Sequence, residues 1–490
     1  MSTQRRTPSA PAQPAPDLGA LEPDPALHDH RVLLWLVAAA FVVILNETIM
    51  TTAIPRLMAD LHVSASAAQW LSTVFMLTMA VVIPTTGYLL QRLTTRAAYL
   101  LAMGTFCAGT LLAGLAPTFA VLLLARVVQA VGTAIMMPLL MTTLMQVVHE
   151  RDRGRVMGNV SLAISVAPAA GPAVSGVVLQ ALSWRWIFFL VLPAAAAIAL
   201  LGLRGLRNVG EPTARTLDVG SVPLAIVGFG ALVYGLSEVG APATRAVGLA
   251  MLALGAVGVA AFTWRQLALG RRGGSPLLDV RVLRSGTFAR SMAAMAIAFM
   301  ALMGVVILLQ LFLQSVLGQP PLVAGLVVMP GGIAMGLAAP VVGRLLDAHG
   351  ARVLMIPGAV VLVGALAGTA WLVRAGATAP LAAFVGLHVA LSLGLALLFT
   401  PLFTLGLGAV PEHLYAHGSS VLGTTQQVAG AMGTAAFVTV LAATGGDAAG
   451  FGWAFAVGVA LAVATLALVL TLPARNAAAA PDAPEPQPLT

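Results

Sequence analysis

The sequence predicts an all-α polytopic membrane protein with fourteen crossings, and three observations carry that expectation. Hydrophobic residues make up 59% of the 490 residues, while Asp, Glu, Lys and Arg make up only 9%. A soluble fold needs about 25% charged residues to cover its surface, so the apolar surplus here has to face lipid. Apolar runs of about 20 residues, the length that crosses a hydrocarbon core of about 30 Å, recur along the chain. The basic residues are sorted between the breaks, as a membrane topology requires.

Breaks at charges, prolines and polar turns place the first six spans at 33–55, 67–90, 97–115, 118–146, 157–180 and 186–203. Two more fall at 219–239 and 245–267. The last six fall at 287–316, 322–343, 353–373, 379–405, 419–443 and 450–473. The flanks 1–32 and 474–490 are rich in Pro and Ala without an apolar core. They read as disordered cytoplasmic tails, and the first does not read as a secretory signal. Cys107 is the single cysteine, so neither a disulfide framework nor a thiolate metal site is expected. It lies in an apolar run, as a small packing residue would.

All 25 basic residues are arginine, which the codon bias of a GC-rich genome explains without invoking function. With an even number of spans, alternation assigns every loop to one side. The tails and even-numbered loops then hold twenty arginines and the opposite loops four, leaving Arg126 of the 25 inside a span. That segregation puts both termini in the cytoplasm of a bacterial cell with an inner-membrane, multi-pass protein. One missed helix would scramble it. Trp70, Trp184 and Trp186 fall near outer boundaries, where interfacial indoles are expected.

Residues 87–96, GYLLQRLTTR, and 343–352, GRLLDAHGAR, repeat one pattern. Each has Gly, Leu two places on, a polar residue fifth and Arg tenth. The matched turns follow spans 2 and 10, so 33–203 and 287–473 are two six-helix bundles. The segment 204–286 is then an inserted helix pair with its linkers. Two bundles with a site between them are the architecture of transporters that work by rocking.

At these residues the chain resembles the major facilitator superfamily, and within it the fourteen-helix drug:proton antiporter branch. Gly343, Leu345, Asp347, Gly350 and Arg352 match the family's G-x-L-x-D-x-x-G-x-R loop signature. The first copy keeps Gly87, Leu89 and Arg96, with Arg92 at an unspecified place, but has Gln91 in place of the acid and Thr94 in place of the second Gly. If that acid locks one state against a helix end or an arginine, the first-half lock is the weaker. In span 4, Arg126, Gln129 and Gly132 resemble the arginine motif, with Ala130 replacing a Gly. In span 5, Gly158, Gly171, Pro172 and Gly176 resemble the antiporter motif, with Ala167 and Ser175 in place of glycines. Small residues there still allow close helix approach. In span 1, Asn46-Glu47-Thr48 is similar to the first-helix motif of the lincomycin-type exporters.

Glu47 is the leading candidate for chemistry. An ionisable group inside a span is costly and marks function by default, and desolvation disfavours its charged form, as a proton carrier needs. The competing reading is a permanently paired structural carboxylate. At 1.5 Å per residue, Glu47 lies roughly 21 Å along span 1, a depth similar to that of Arg126 on span 4. Arg126 is either the partner of Glu47 or an anchor for backbone carbonyls. Asn46, Gln129, Gln310, Gln314 and Gln426 are candidates for the substrate cavity, or else interhelical glue. His388 and the cluster Met136, Met137, Met141 and Met145 read first as packing. Glu238 and Asp447 read as solvated boundary residues.

The absence of lysine rules out a G-x-x-x-x-G-K-[ST] nucleotide loop, so the energy source is expected to be a gradient. One proton crossing about 100 mV supplies about 2.3 kcal/mol, roughly a 50-fold substrate gradient. The resemblance implies a monomeric, proton-coupled exporter of amphipathic drugs or antibiotics, working by alternating access. It implies no enzyme activity, cofactor, metal or nucleic-acid partner; its partners are substrate, protons and lipid. Export of one endogenous metabolite, and uncoupled facilitation, are the alternatives.

Overall fold

The computed structural model describes residues 31–209, 218–240, 243–272, 274–378, 380–445 and 448–473, apart from a few side chains inside helices. Residues 1–30 and 474–490 of the two tails and Asp447 lie outside the described residues, as do the surroundings of Pro172 and Gly176. Fourteen α-helices follow in order. The first six are α1 (Arg31–Leu61), α2 (Ala65–Arg92), α3 (Thr95–Gly114), α4 (Phe119–Val147), α5 (Arg153–Ala181) and α6 (Arg185–Gly205). The next pair is α7 (Ser221–Glu238) and α8 (Arg245–Arg271). The last six are α9 (Gly286–Ser315), α10 (Pro321–His349), α11 (Ala351–Leu372), α12 (Leu381–Gly408), α13 (Tyr415–Ala443) and α14 (Ala448–Leu470). Among the described residues, thirteen helices are long and apolar enough to cross a membrane, and α5, at 29 residues, matches them in length.

Helix starts follow from capping chemistry. Ser64, Thr94, Thr118 and Ser285 each accept a hydrogen bond from a backbone N–H three residues on, opening α2, α3, α4 and α9. The two copies of the repeated motif end differently. Gly350 turns the chain at φ +85° between α10 and α11, in the left-handed region where a Cβ is strained. Thr94, at φ −64°, needs no glycine and caps α3 instead. The motifs are also less loop than the sequence suggests. Gly87 to Arg92 and Gly343 to His349 are the last turns of α2 and α10.

The helices form two six-helix bundles, α1–α6 and α9–α14, which meet where α5 packs on α10 and α2 on α13. The inserted pair is joined backbone to backbone. A Cβ on Gly255 would lie 2.4 Å from the Leu232 nitrogen, and one on Gly228 2.7 Å from the Val259 nitrogen. Close approach through small residues is how helices associate in lipid, where no hydrophobic force draws them together. The far side of α8 stays apolar and exposed at Val257 and Trp264, as a lipid-facing surface does. α7 lies against both α2 and α13, and Tyr234 stacks on Trp70 at 5.8 Å.

Trp70 and Trp186 are exposed near helix ends as expected, but Trp184 is not an interfacial indole. It is fully buried, edge-on to Phe188 at 6.2 Å, with the Arg185 guanidinium 4.3 Å above its ring. Met136, Met141 and Met145 are buried in the core, and His388 packs against Gly331 of α10.

Candidate functional site

The polar centre of the first bundle is built on α4. Arg126 is fully buried, and its position depends on three contacts. Its Nε donates to the Leu71 carbonyl at 3.3 Å, its Nη1 donates to Gln129 Oε1 at 3.0 Å, and its guanidinium lies 4.0 Å from the Phe75 ring centroid. Gln129 in turn donates to Thr110 Oγ1 at 2.9 Å. The i, i+3 spacing puts Arg126 and Gln129 on one face of α4, and α2 and α3 complete the chain. Of the two readings of Gln129, these contacts are those of interhelical glue. The side chain is fully buried, with both ends of its amide engaged in holding Arg126.

Glu47 comes near this chain from α1 without closing on it. The charges of Glu47 and Arg126 act on one another, but no ion pair joins them among the described residues. Glu47 is half-buried. An acid facing a buried cation that is already anchored elsewhere can lose its charge without releasing that cation. Asn46, next to it, is 1% exposed, and neither of its amide atoms has a hydrogen-bond partner. Buried amides without partners are rare and ask for an explanation.

The antiporter-like motif puts α5 against this segment. A Cβ on Gly171 would fall 2.2 Å from Thr48 Oγ1, so glycine lets α5 lie directly on α1 beside Glu47. Lower on α5, Gly158 faces the Ala339 carbonyl of α10, where a Cβ would sit at 2.4 Å. The same helix thus contacts the candidate proton site and the opposite bundle.

The arginine-rich end carries the contacts that join the bundles. Asp347 accepts from the backbone nitrogens of Gly154 at 2.8 Å and Arg155 at 2.7 Å, capping the N-terminus of α5 from the end of α10. Its counterpart Gln91 has no charge to offer. It donates to the His413 carbonyl ahead of α13 at 2.9 Å. Gly87 lets α2 approach His417, whose Nδ1 lies 2.5 Å from a Cβ built there. Arg96 ties α3 to the Leu203 carbonyl at 2.7 Å, while Arg352 reaches the Leu470 carbonyl at 3.5 Å.

Several of these contacts were not readable beforehand. Thr86 pairs with Ser420 at 2.7 Å and Thr142 with Ser419 at 2.8 Å across the bundle boundary. Arg153 donates to the Met145 carbonyl at 3.0 Å and to the Tyr415 hydroxyl at 3.4 Å. Hydroxyls inside apolar helices give no signal of which helix they will meet, and Arg153 was hidden among topology-setting arginines. Gln310 and Gln426 are half-buried and Gln314 is exposed; the contacts that hold the site do not include them.

A family model described as the Major Facilitator Superfamily matches residues 36–434. The chain belongs to the major facilitator superfamily. It is a multi-pass membrane transporter and not an enzyme. This facilitator is 37% identical over 413 residues to a lincomycin resistance protein of Listeria monocytogenes, covering 84% of this chain and 86% of that one. It is 30% identical over 416 residues to the multidrug resistance protein Stp of Mycobacterium tuberculosis, covering 84% and 76%. Among solved structures, a human organic anion transporter aligns with the facilitator at a TM-score of 0.67 and 14% identity, covering 90% and 99%. That last likeness speaks for the fold alone.

Proposed function

We propose that the chain exports amphipathic drugs or antibiotics across the bacterial cytoplasmic membrane in exchange for protons, by alternating access between the bundles 33–203 and 287–473. The observation that carries the reading is Glu47, a half-buried carboxylate within a span, facing the charge of an Arg126 that is held by other groups. Protonating Glu47 removes one charge from the site while Arg126 keeps its anchors. The change in field is then felt by α5, which touches α1 at Gly171 and the opposite bundle at Gly158. The lincomycin and multidrug resistance proteins among the relatives support the choice of cargo. The segregation of arginines supports cytoplasmic termini.

The test is substrate efflux from proteoliposomes under an imposed pH gradient, wild type beside Glu47→Gln. The variant is expected to lose gradient-driven transport while keeping substrate exchange at zero gradient. Unchanged gradient-driven transport would remove Glu47 from the coupling. Loss of both modes with normal folding would instead place Glu47 in substrate binding.

A further inference from the structure

Outside this site, one feature of the arginine-rich end has no part in proton coupling. A cavity of about 780 Å³ opens where α5 meets α10, lined by Arg151, Arg155 and Arg344 together with Asp152 and Asp347. The three guanidinium groups make no hydrogen bond or ion pair among the described residues. Asp347 has both carboxylate oxygens on the backbone of α5 but keeps its charge, and with Asp152 it offsets part of the three positive charges, leaving the lining positive by one. Three guanidinium groups with free donors around a cavity of net positive lining can take a phosphate, which accepts from several of them at once.

A second cavity, of about 410 Å³, adjoins the first and shares Asp152, Arg155 and Asn159 with it as wall residues. Its remaining wall is apolar, with Leu34 and Val37 of α1 facing Val156 of α5. Leu34 is 64% exposed, a lipid-facing side chain within the first turn of its helix. Along this groove the chemistry changes from guanidinium at the helix ends to aliphatic surface about one turn deeper, roughly 5 Å into the bilayer. A free phosphate would use only the first part. A molecule with a negative head and an apolar tail uses both.

We propose that this groove binds an anionic phospholipid, its phosphate among Arg151, Arg155 and Arg344 and an acyl chain along Leu34, Val37 and Val156. Arg155 belongs to the first bundle and Arg344 to the second. The bound headgroup therefore bridges the bundles where Gly154 and Gly343 touch. Parting α5 from α10 at this end divides the site, so the lipid favours the arrangement in which this end is closed. The neighbouring Asp347 cap and the lipid act on the same pair of helices in the same direction.

The experiment uses the full-length protein, delipidated in detergent. Retention of added phosphatidylglycerol and phosphatidylcholine is compared by native mass spectrometry, for wild type, Arg155→Gln, Arg344→Gln and the control Arg204→Gln. Phosphatidylglycerol is expected to be retained over phosphatidylcholine, about fivefold more weakly for each groove arginine removed, a factor set by the attraction of one arginine near a charged surface. The control should bind as wild type does. Equal retention of the two lipids by the wild type overturns the proposal without recourse to any variant. So does wild-type binding by both groove variants. Melting temperatures with inorganic phosphate distinguish the remaining source. If phosphate alone stabilises the protein as much as phosphatidylglycerol does, with the same dependence on the arginines, the site takes a soluble anion and the lipid assignment fails.

Discussion

Arg126 shows what a buried charge in a span requires. Its hydrogen bonds to Leu71 and Gln129 and its place over Phe75 satisfy it in the absence of a contact ion pair. Arg126→Ala leaves the Gln129 carbonyl buried and unpaired, at a cost of about 1–3 kcal/mol. A lower melting temperature in detergent is expected, together with impaired transport. Arg126→Lys keeps the charge but cannot serve both acceptors in one plane, so it should fall between the two. The sequence pointed to Glu47 and Arg126 because ionisable groups inside apolar runs are conspicuous. It left their relationship open, because matching depth on two helices says nothing about rotation. Gln129 was left open for the same reason: a polar side chain within a span serves a cavity or another side chain, and here it bonds Arg126 and Thr110.

Among the helices, α5 and the inserted pair carry the most consequence. Asp347 caps the start of α5 with a charge, and such a cap contributes about 0.3–1 kcal/mol. Asp347→Asn should therefore shift the balance toward the form open at the arginine-rich end by about two- to fivefold. The shift is measurable as faster thiol labelling of Thr142→Cys in a Cys107→Ser background. Unaltered labelling would mean that the cap does not bias the equilibrium. At the foot of the inserted pair, Asp218 accepts from Arg265 at 2.6 and 2.8 Å and from Ser221. The Arg265 hydrogen bonds hold the Asp218 carboxyl below its ordinary range, against the smaller opposing effect of burial. A depressed acid stabilises the fold at pH above its unfolded value of about 3.9, and that stability is lost as pH falls through the lower folded value. The melting temperature should thus decline with acidification below about pH 4, and Asp218→Asn should flatten that part of the profile. Helix existence was legible throughout from hydropathy. Helix ends were less so: α10 runs to His349 rather than 343, since an acid and an arginine in its last turns look like a loop until Gly350 turns the chain.

At the scale of the whole molecule, the hydrogen bonds that join the bundles gather at the arginine-rich end, through Thr86–Ser420, Thr142–Ser419 and Asp347 with α5. The structure is closed there. Paired cysteines at Thr86 and Ser420, in the Cys107→Ser background, should cross-link on oxidation and stop transport, with recovery on reduction. Transport that continues through the cross-link would show that these helix ends do not part during the cycle. The two-bundle plan was visible in the repeat of Gly87–Arg96 and Gly343–Arg352. The chemical difference between its two copies was visible in Gln91 against Asp347. What neither composition nor repeat revealed was where the extra pair docks, because a glycine-rich hairpin looks the same wherever it lies.

The docking of α7 across α2 and α13 makes the molecule lopsided in the plane of the membrane. One of its two seams is shuttered by a protein hairpin, whereas among the described residues the α5–α10 seam has no such cover. A greasy molecule dissolved among the acyl chains meets a hairpin on one flank and, on the other, the bare seam of two helices with arginines at its end.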